Sequence, residues 1–337
     1  MLLAPKLKTG DTIAVFSPSS PVTCTAVRRY QRGKSFLESK GFRVKEGALT
    51  GKRDYYRSGS IQERVDELNQ LIQDPEVQCI MSSIGGWNSN SLLPYIDYKS
   101  LQDNPKIIVG YSDVTALLLG IYAQTGLICF YGPAMAASLG ELPPLVDDTW
   151  TYFKNIVAGN MPIPYILPTP DDWTDEFIDW ETQNRKKNVL SNQLITIHPG
   201  IAEGRIIGGN LNTMQGIWGS PFMPKIQTGD ILFLEDSLLD AAIVERSFSL
   251  LKINGIFDRI GGLILGKHEL FKDCGSGRKP YDILLEIMGQ TSFPVLAQFD
   301  CCHTHPMLTL PIGCKVRLDA YKQTVTLLES PVFSYQS

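Results

Sequence analysis

"PKIIVGYSDVTALLLGIY", residues 105–122, passes from an apolar, β-branched run into a helix-like one across a single sharp turn. Ser112 sits on that turn between Tyr111 and Asp113. A strand that turns straight into a helix is the repeating step of an α/β fold, in which near-continuous apolar strands lie parallel beneath helices. The step recurs upstream. TIAVFSP (12–18) is a strand pattern, AVRRYQRGKSFLESKG (26–41) a helix pattern and FRVKEG (42–47) a second strand. Ser60 and Glu63 have capping-box spacing and open a helix that carries Val65, Leu68, Leu71 and Ile72 on one face. QCIMSSI (78–84) is a further strand, followed by the turn GGWNSNSLL (85–93).

Residues 140–200 break this rhythm. They are rich in Pro, Asp and Trp (ELPPLVDD; YILPTPDDWTDEFIDWETQNRKKN), and only TWTYFKNIVAG (149–159) is helix-like. A second unit then opens with the glycine-rich GRIIGGNLNTMQGIWGSP (204–221) and the strand DILFLE (230–235). The helix AAIVERSFSLLKINGIF follows, and GGLILGKHE, PVLAQFD, KVRLDA and TVTLLES supply more strands. The expectation is an α/β protein of two domains. An N-terminal parallel-sheet domain spans 1–165, a linker with an aromatic loop spans 166–195, and a C-terminal β/α domain spans 196–337.

The 337 residues can bury two ordinary cores, and 43% hydrophobic with 20% charged residues is the composition of a globular protein. A net charge of −4 without a basic cluster argues against a nucleic-acid polymer as partner. The opening MLLAPKLKTGD has no apolar core of a signal peptide, and no run of eighteen apolar residues occurs. Seven scattered cysteines suit a reducing compartment. A cytoplasmic protein without membrane attachment is expected.

A serine on a tight strand-to-helix turn is pushed out of the sheet, and the helix that follows aims free N–H groups at the same place. Those donors can hold an oxyanion, so Ser112 is a candidate nucleophile; the competing reading is a helix cap. GYSD also lacks the second glycine of the G-x-S-x-G elbow. A nucleophilic serine needs a base. His198 has the character of a surface loop residue, His268 ends a strand, and His303 and His305 follow PVLAQF within CCHTH. That cluster lacks the C-x2-C spacing of a zinc site, so no metal is expected. GDILFLEDS places Glu235 and Asp236 at a strand end, as a possible orienting carboxylate or a solvated acidic turn. Ser112, Glu235 and His303 each fall just beyond the C-terminal end of an expected strand, where open α/β sheets build their sites.

GYSDVTAL, GGNLNT, LFLEDS with ERSFSLLK, and HTHPMLTLPIG occur in this order, after GDTIAVFSPSSP near the start. The set resembles the LD-carboxypeptidase family of serine peptidases, which includes the microcin C immunity (MccF-like) branch. The resemblance implies a Ser-Glu-His triad of Ser112, Glu235 and His303. It also implies an oxyanion hole from the backbone N–H groups of Asp113 and of the Gly85–Gly86 pair. It further implies a class I amidotransferase-like N-terminal domain, a swivelling C-terminal domain, no cofactor, and a homodimer. Trp87-Asn88-Ser89-Asn90 is similar to the pattern of the MccF-like branch. DDWTDEFIDWETQ resembles the loop that stacks on a nucleotide base in that branch, which would make Trp180, with Trp173 and Phe177, an aromatic platform. Packing of the loop is the alternative. Asn210 is a candidate polar contact in the cleft, beside a turn role. DSLLD after Glu235 departs from the cationic residues that would grip a phosphate or carboxylate.

The expected activity is hydrolysis of the amide of a small peptidyl or aminoacyl nucleotide-like substrate. Removal of a terminal D-alanine from muropeptides is the alternative within the same class. A non-catalytic ligand-binding protein and a metal hydrolase using CCHTH are alternatives outside it.

Overall fold

The computed structural model describes residues 1–159 and 161–333. In the first of two main sheets the strands Arg43–Glu46, Thr12–Phe16, Val77–Ser82, Ile107–Gly110 and Cys129–Tyr131 lie side by side and parallel. All but the edge strand Arg43–Glu46 are almost wholly buried, which is why they appear in the sequence as unbroken apolar runs. Helices Val27–Ser39, Ile61–Gln73 and Thr115–Thr125 make the return crossings. The second starts with both halves of the expected capping box. Ser60 Oγ accepts the Glu63 N–H at 3.2 Å, and Glu63 Oε2 accepts the Ser60 N–H at 2.8 Å.

The second sheet has eight strands. Its centre is parallel: Ile201–Asn210, Ile231–Ser237, Gly262–Glu269 and Val295–Phe299, with helices Ala241–Ile253 and Pro280–Met288 as crossovers. Antiparallel strands complete it, Ile195–His198 on one side and Lys315–Asp319, Thr324–Leu327 and Tyr165–Ile166 on the other. The glycine-rich stretch at 204–210 is the body of a strand.

The two sheets exchange chain. Leu310–Ile312 leaves the C-terminal region and pairs antiparallel with Cys129–Tyr131 in the first sheet. Helix Thr115–Thr125, which starts just after Ser112, packs against both Ile201–Asn210 and the short helix Leu211–Gln215. Its first two turns, Thr115–Ile121, are apolar nearly all round because they are covered on all sides. Gly209 meets it closely, since a Cβ there would lie 2.5 Å from Thr115 Cγ2. The Asn210 N–H donates to Thr115 Oγ1 at 3.1 Å. No described helix is long and apolar enough to cross a membrane.

Candidate active site

Ser112 opens a short 3-10 turn between strand Ile107–Gly110 and helix Thr115–Thr125. Its φ is +62°, a left-handed conformation that a side-chain-bearing residue adopts only where its surroundings enforce it. Strained turns of this kind lift a serine hydroxyl above the sheet. The N-cap positions of the turn and of the helix are held by Tyr111 and Val114, so capping does not explain Ser112.

The glycine pair comes right up to this turn. A Cβ on Gly85 would lie 2.9 Å from Ser112 Cβ and 3.0 Å from the Asp113 nitrogen. Gly86 has φ +147°, and a Cβ there would lie 2.3 Å from Ser19 Oγ. A side chain at Gly85 would hold the two segments apart, and one at Gly86 would strike Ser19 and Ser20. What fastens them is the Asp113 carboxylate, whose Oδ2 accepts the N–H groups of Asn88 (3.1 Å) and Ser89 (2.9 Å). Ser19 Oγ accepts from Trp87 and Asn88, and Arg64 donates to Asn88 Oδ1 at 2.8 Å. These clamps escaped the sequence reading; the polar run Asn88-Ser89-Asn90 was their one visible trace.

Glu235 lies inside strand Ile231–Ser237 rather than beyond its end, because the ladder continues through Asp236 and Ser237 opposite His268 and Glu269. It is fully buried. Its Oε2 receives His303 Nδ1 at 2.7 Å. Its Oε1 accepts from Tyr131 Oη at 2.5 Å and from Asn210 Nδ2 at 3.0 Å. Tyr131 Oη in turn accepts the Ser112 N–H at 3.3 Å, so one phenol joins the serine turn to the carboxylate. Tyr131 was absent from the sequence reading. Asn210 holds the carboxylate with its nitrogen while its Oδ1 caps helix Leu211–Gln215.

Burial pushes the His303 imidazole down, but the Glu235 charge and hydrogen bond outweigh it and carry its pKa up to about 9. Glu235 is itself destabilised by burial, yet the His303 contact holds its carboxyl below the ordinary value. Since a carboxylate only accepts, His303 Nδ1 carries the hydrogen, and in the neutral ring Nε2 is free to take a proton. The Tyr111 ring flanks His303 edge-on, with centroids 4.9 Å apart.

A cavity of about 420 Å³ joins these groups. Ser112, His303, Gly85, Gly86, Asn210 and Trp180 line it. Phe177, largely exposed, stands on the same wall, whereas Trp173 lies under the Lys267 ammonium at 5.3 Å. Of the other histidines, His268 bonds its own strand at Gly266 O and burial lowers its pKa to about 4. His198 ends an edge strand, and His305 lines the cavity as a buried, neutral ring. Among the described residues no group of three or more His, Cys, Asp or Glu side chains is placed to hold a metal ion.

Comparison with known proteins decides the family. The profile of the LD-carboxypeptidase N-terminal domain matches residues 13–132, and that of the LD-carboxypeptidase C-terminal domain matches residues 203–318. This chain belongs to the LD-carboxypeptidase family. As a member of that family it is a serine peptidase. A putative carboxypeptidase of Vibrio cholerae is 57% identical over 327 residues, covering 97% of this chain and 98% of that protein. The microcin C7 self-immunity protein MccF of Escherichia coli is 53% identical over 330 residues, covering 97% and 96%. The solved structure of MccF superposes with a TM-score of 0.97 at 52% identity, over 99% of this chain and all of the other. MccF has also been solved in complex with aspartyl sulfamoyl adenosine and with glutamyl sulfamoyl guanosine. The two-domain α/β architecture is therefore that of the LD-carboxypeptidase family, in its MccF-like form.

Proposed function

We propose that this enzyme is an MccF-like amidase or carboxypeptidase that hydrolyses the amide of aminoacyl or peptidyl nucleotide-like substrates in the cytoplasm. The observation that carries the reading is the 2.7 Å contact of Glu235 with His303 Nδ1, opening onto the cavity that also holds Ser112 and Trp180. In the proposed reaction His303 Nε2 takes the Ser112 Oγ proton as the oxygen attacks the amide carbonyl. Glu235 fixes the imidazole and stabilises the imidazolium. The N–H groups of Asp113 and Gly86 receive the tetrahedral oxyanion, their spacing held by the Asp113 carboxylate clamp. His303 returns the proton to the leaving nitrogen, and water, activated by the same imidazole, releases the acyl group.

The aromatic wall of Trp180 and Phe177 favours a nucleotide base over a muropeptide. The identity to MccF also exceeds that to a probable murein peptide carboxypeptidase of Bacillus subtilis, 53% against 27%. The test is hydrolysis of aspartyl and glutamyl sulfamoyl adenosine beside a muropeptide tetrapeptide, with Ser112→Ala as control. Cleavage of the adenosines, lost in the variant, is the expected result. Cleavage of the tetrapeptide alone would replace this reading with one in cell-wall turnover.

A further inference from the structure

Lys187 is the one lysine or arginine among the described residues that line the cavity. Its side chain is 5% exposed, and among the described residues its ammonium has one carboxylate contact, Glu141 Oε2 at 3.4 Å. That carboxylate is already neutralised. Fully buried Arg29 donates to the same oxygen at 2.9 Å and to the carbonyls of Ala136 and Ala137 at 2.9 and 2.8 Å. Gln183 Nε2 and the Leu142 N–H occupy the other Glu141 oxygen. One carboxylate is thus shared by two cations, so the protonated Lys187 is a surplus positive charge at the cavity wall; burial lowers its pKa, Glu141 works against that, and Arg29 adds to it.

The remaining neighbours leave that surplus in place. His305 lines the cavity with its Nδ1 unpartnered and buried; burial first, and then the Lys187 charge, keep it neutral. The cavity carboxylates are engaged elsewhere or pushed toward their neutral form. Asp113 takes two backbone N–H groups and Glu176 is paired with Arg185, while burial raises Asp236 and Glu269. A sequestered ammonium with two donors unused is costly unless an anion meets it. It lines the same cavity as Leu238 and Leu239, residues of the DSLLD sequence that offers no cation.

We propose that Lys187 is the anion anchor of the substrate cavity, receiving an anionic oxygen group of the substrate, either a carboxylate on the acyl part or a phosphoryl oxygen on the nucleotide part. This rests on the reading of the cavity as the substrate site. Glu141 and Arg29 act behind it by fixing the ammonium and the Trp180 ring, over which the Arg29 guanidinium lies at 4.8 Å.

The test compares wild type with Lys187→Met on two ligand pairs that differ by one charged group. The first is kcat/KM for aspartyl against asparaginyl sulfamoyl adenosine; the second is calorimetric affinity for adenosine monophosphate against adenosine. Wild type should prefer the charged member of one pair, and the variant should lose about tenfold or more of that preference. Loss in the first pair locates a carboxylate at Lys187, and loss in the second a phosphoryl group. A ratio is read in each case, so a general weakening of the folded protein cancels. If both ratios survive in Lys187→Met, or wild type ignores the charge in both pairs, the proposal is overturned and Lys187 only tethers the loop. Should wild type cleave neither aminoacyl compound, the proposed activity fails while the nucleotide pair still reports on Lys187.

Discussion

A single phenol hydroxyl separates two arrangements of the proposed base. Tyr131 Oη donates to Glu235 and accepts from the Ser112 backbone, so the carboxylate that orients His303 is tied to the turn that carries the serine. Tyr131→Phe removes that tie and leaves the ring against Phe233 and Tyr111. A hydrogen bond to a charged group is worth about 1.5–3 kcal/mol, so labelling of Ser112 by a fluorophosphonate should slow about tenfold or more and the unfolding midpoint should fall as well. Equal labelling rates would remove Tyr131 from the mechanism. The pH profile belongs to the same scale. His303 accepts a proton only when neutral, and its pKa is raised to about 9, so labelling should accelerate as pH rises toward 9 and fall off below it. Glu235→Gln deletes the charge responsible and leaves burial as the main influence, which works downward. Its acid limb should shift to lower pH, at a lower maximum rate, with Glu269 and Asp236 still pulling the imidazole upward against burial. A limb that stays where it was would deny Glu235 this role.

Secondary-structure elements were legible in the sequence wherever one element's own pattern determined it. The apolar runs around Ile107–Gly110 and Ile231–Ser237 and the Ser60–Glu63 box carry their signals locally. Ser112, the Glu235–Asp236 pair and the histidines 268, 303 and 305 stood out because small, acidic and imidazole side chains interrupt apolar strands or follow them, and the family resemblance chose Glu235 and His303 among them. Strand Ile201–Asn210 was hidden by glycines that serve close approach rather than a turn, and Leu310–Ile312 by a partner strand some 180 residues away. Tyr131 and Lys187 gave no signal, since their contacts lie with Glu235 and Glu141, distant in sequence. The aromatic segment shows what such contacts do. Arg29, Glu141 and Gln183 hold it to helix Val27–Ser39 through wholly buried bonds. Glu141→Ala leaves Arg29 and Lys187 without a counter-charge, and removing one partner of a buried pair costs about 3–5 kcal/mol. A clearly lower urea midpoint and faster proteolytic nicking near residues 171–190 are expected. An unchanged midpoint would show that the segment is held by its apolar contacts.

At the scale of the whole molecule the site exists only because two sheets meet. Ser112 and Tyr131 come from the first, Asn210, Glu235 and His303 from the second, and helix Thr115–Thr125 fills the space between. Gly209 sets how near they come. An added methyl would lie 2.5 Å from Thr115 Cγ2, closer than carbon atoms approach, and at a φ of +155° that side chains rarely adopt. Gly209→Ala should therefore wedge the sheets apart, lengthen the Tyr131–Glu235 bond and slow Ser112 labelling, with about 1–3 kcal/mol lost from overpacking. Strain at residue 209 alone would also cost stability, so the wedge needs its own test. Thr115→Ser deletes the methyl that the new side chain strikes but keeps the hydroxyl that accepts the Asn210 N–H. In the Gly209→Ala background it should restore part of the labelling rate. If the double variant is as slow as Gly209→Ala, the defect lies in the backbone at 209 and the spacing of the sheets does not control the serine. Recovery would mean that the reactivity of Ser112 is set by a contact between two residues that never touch the substrate.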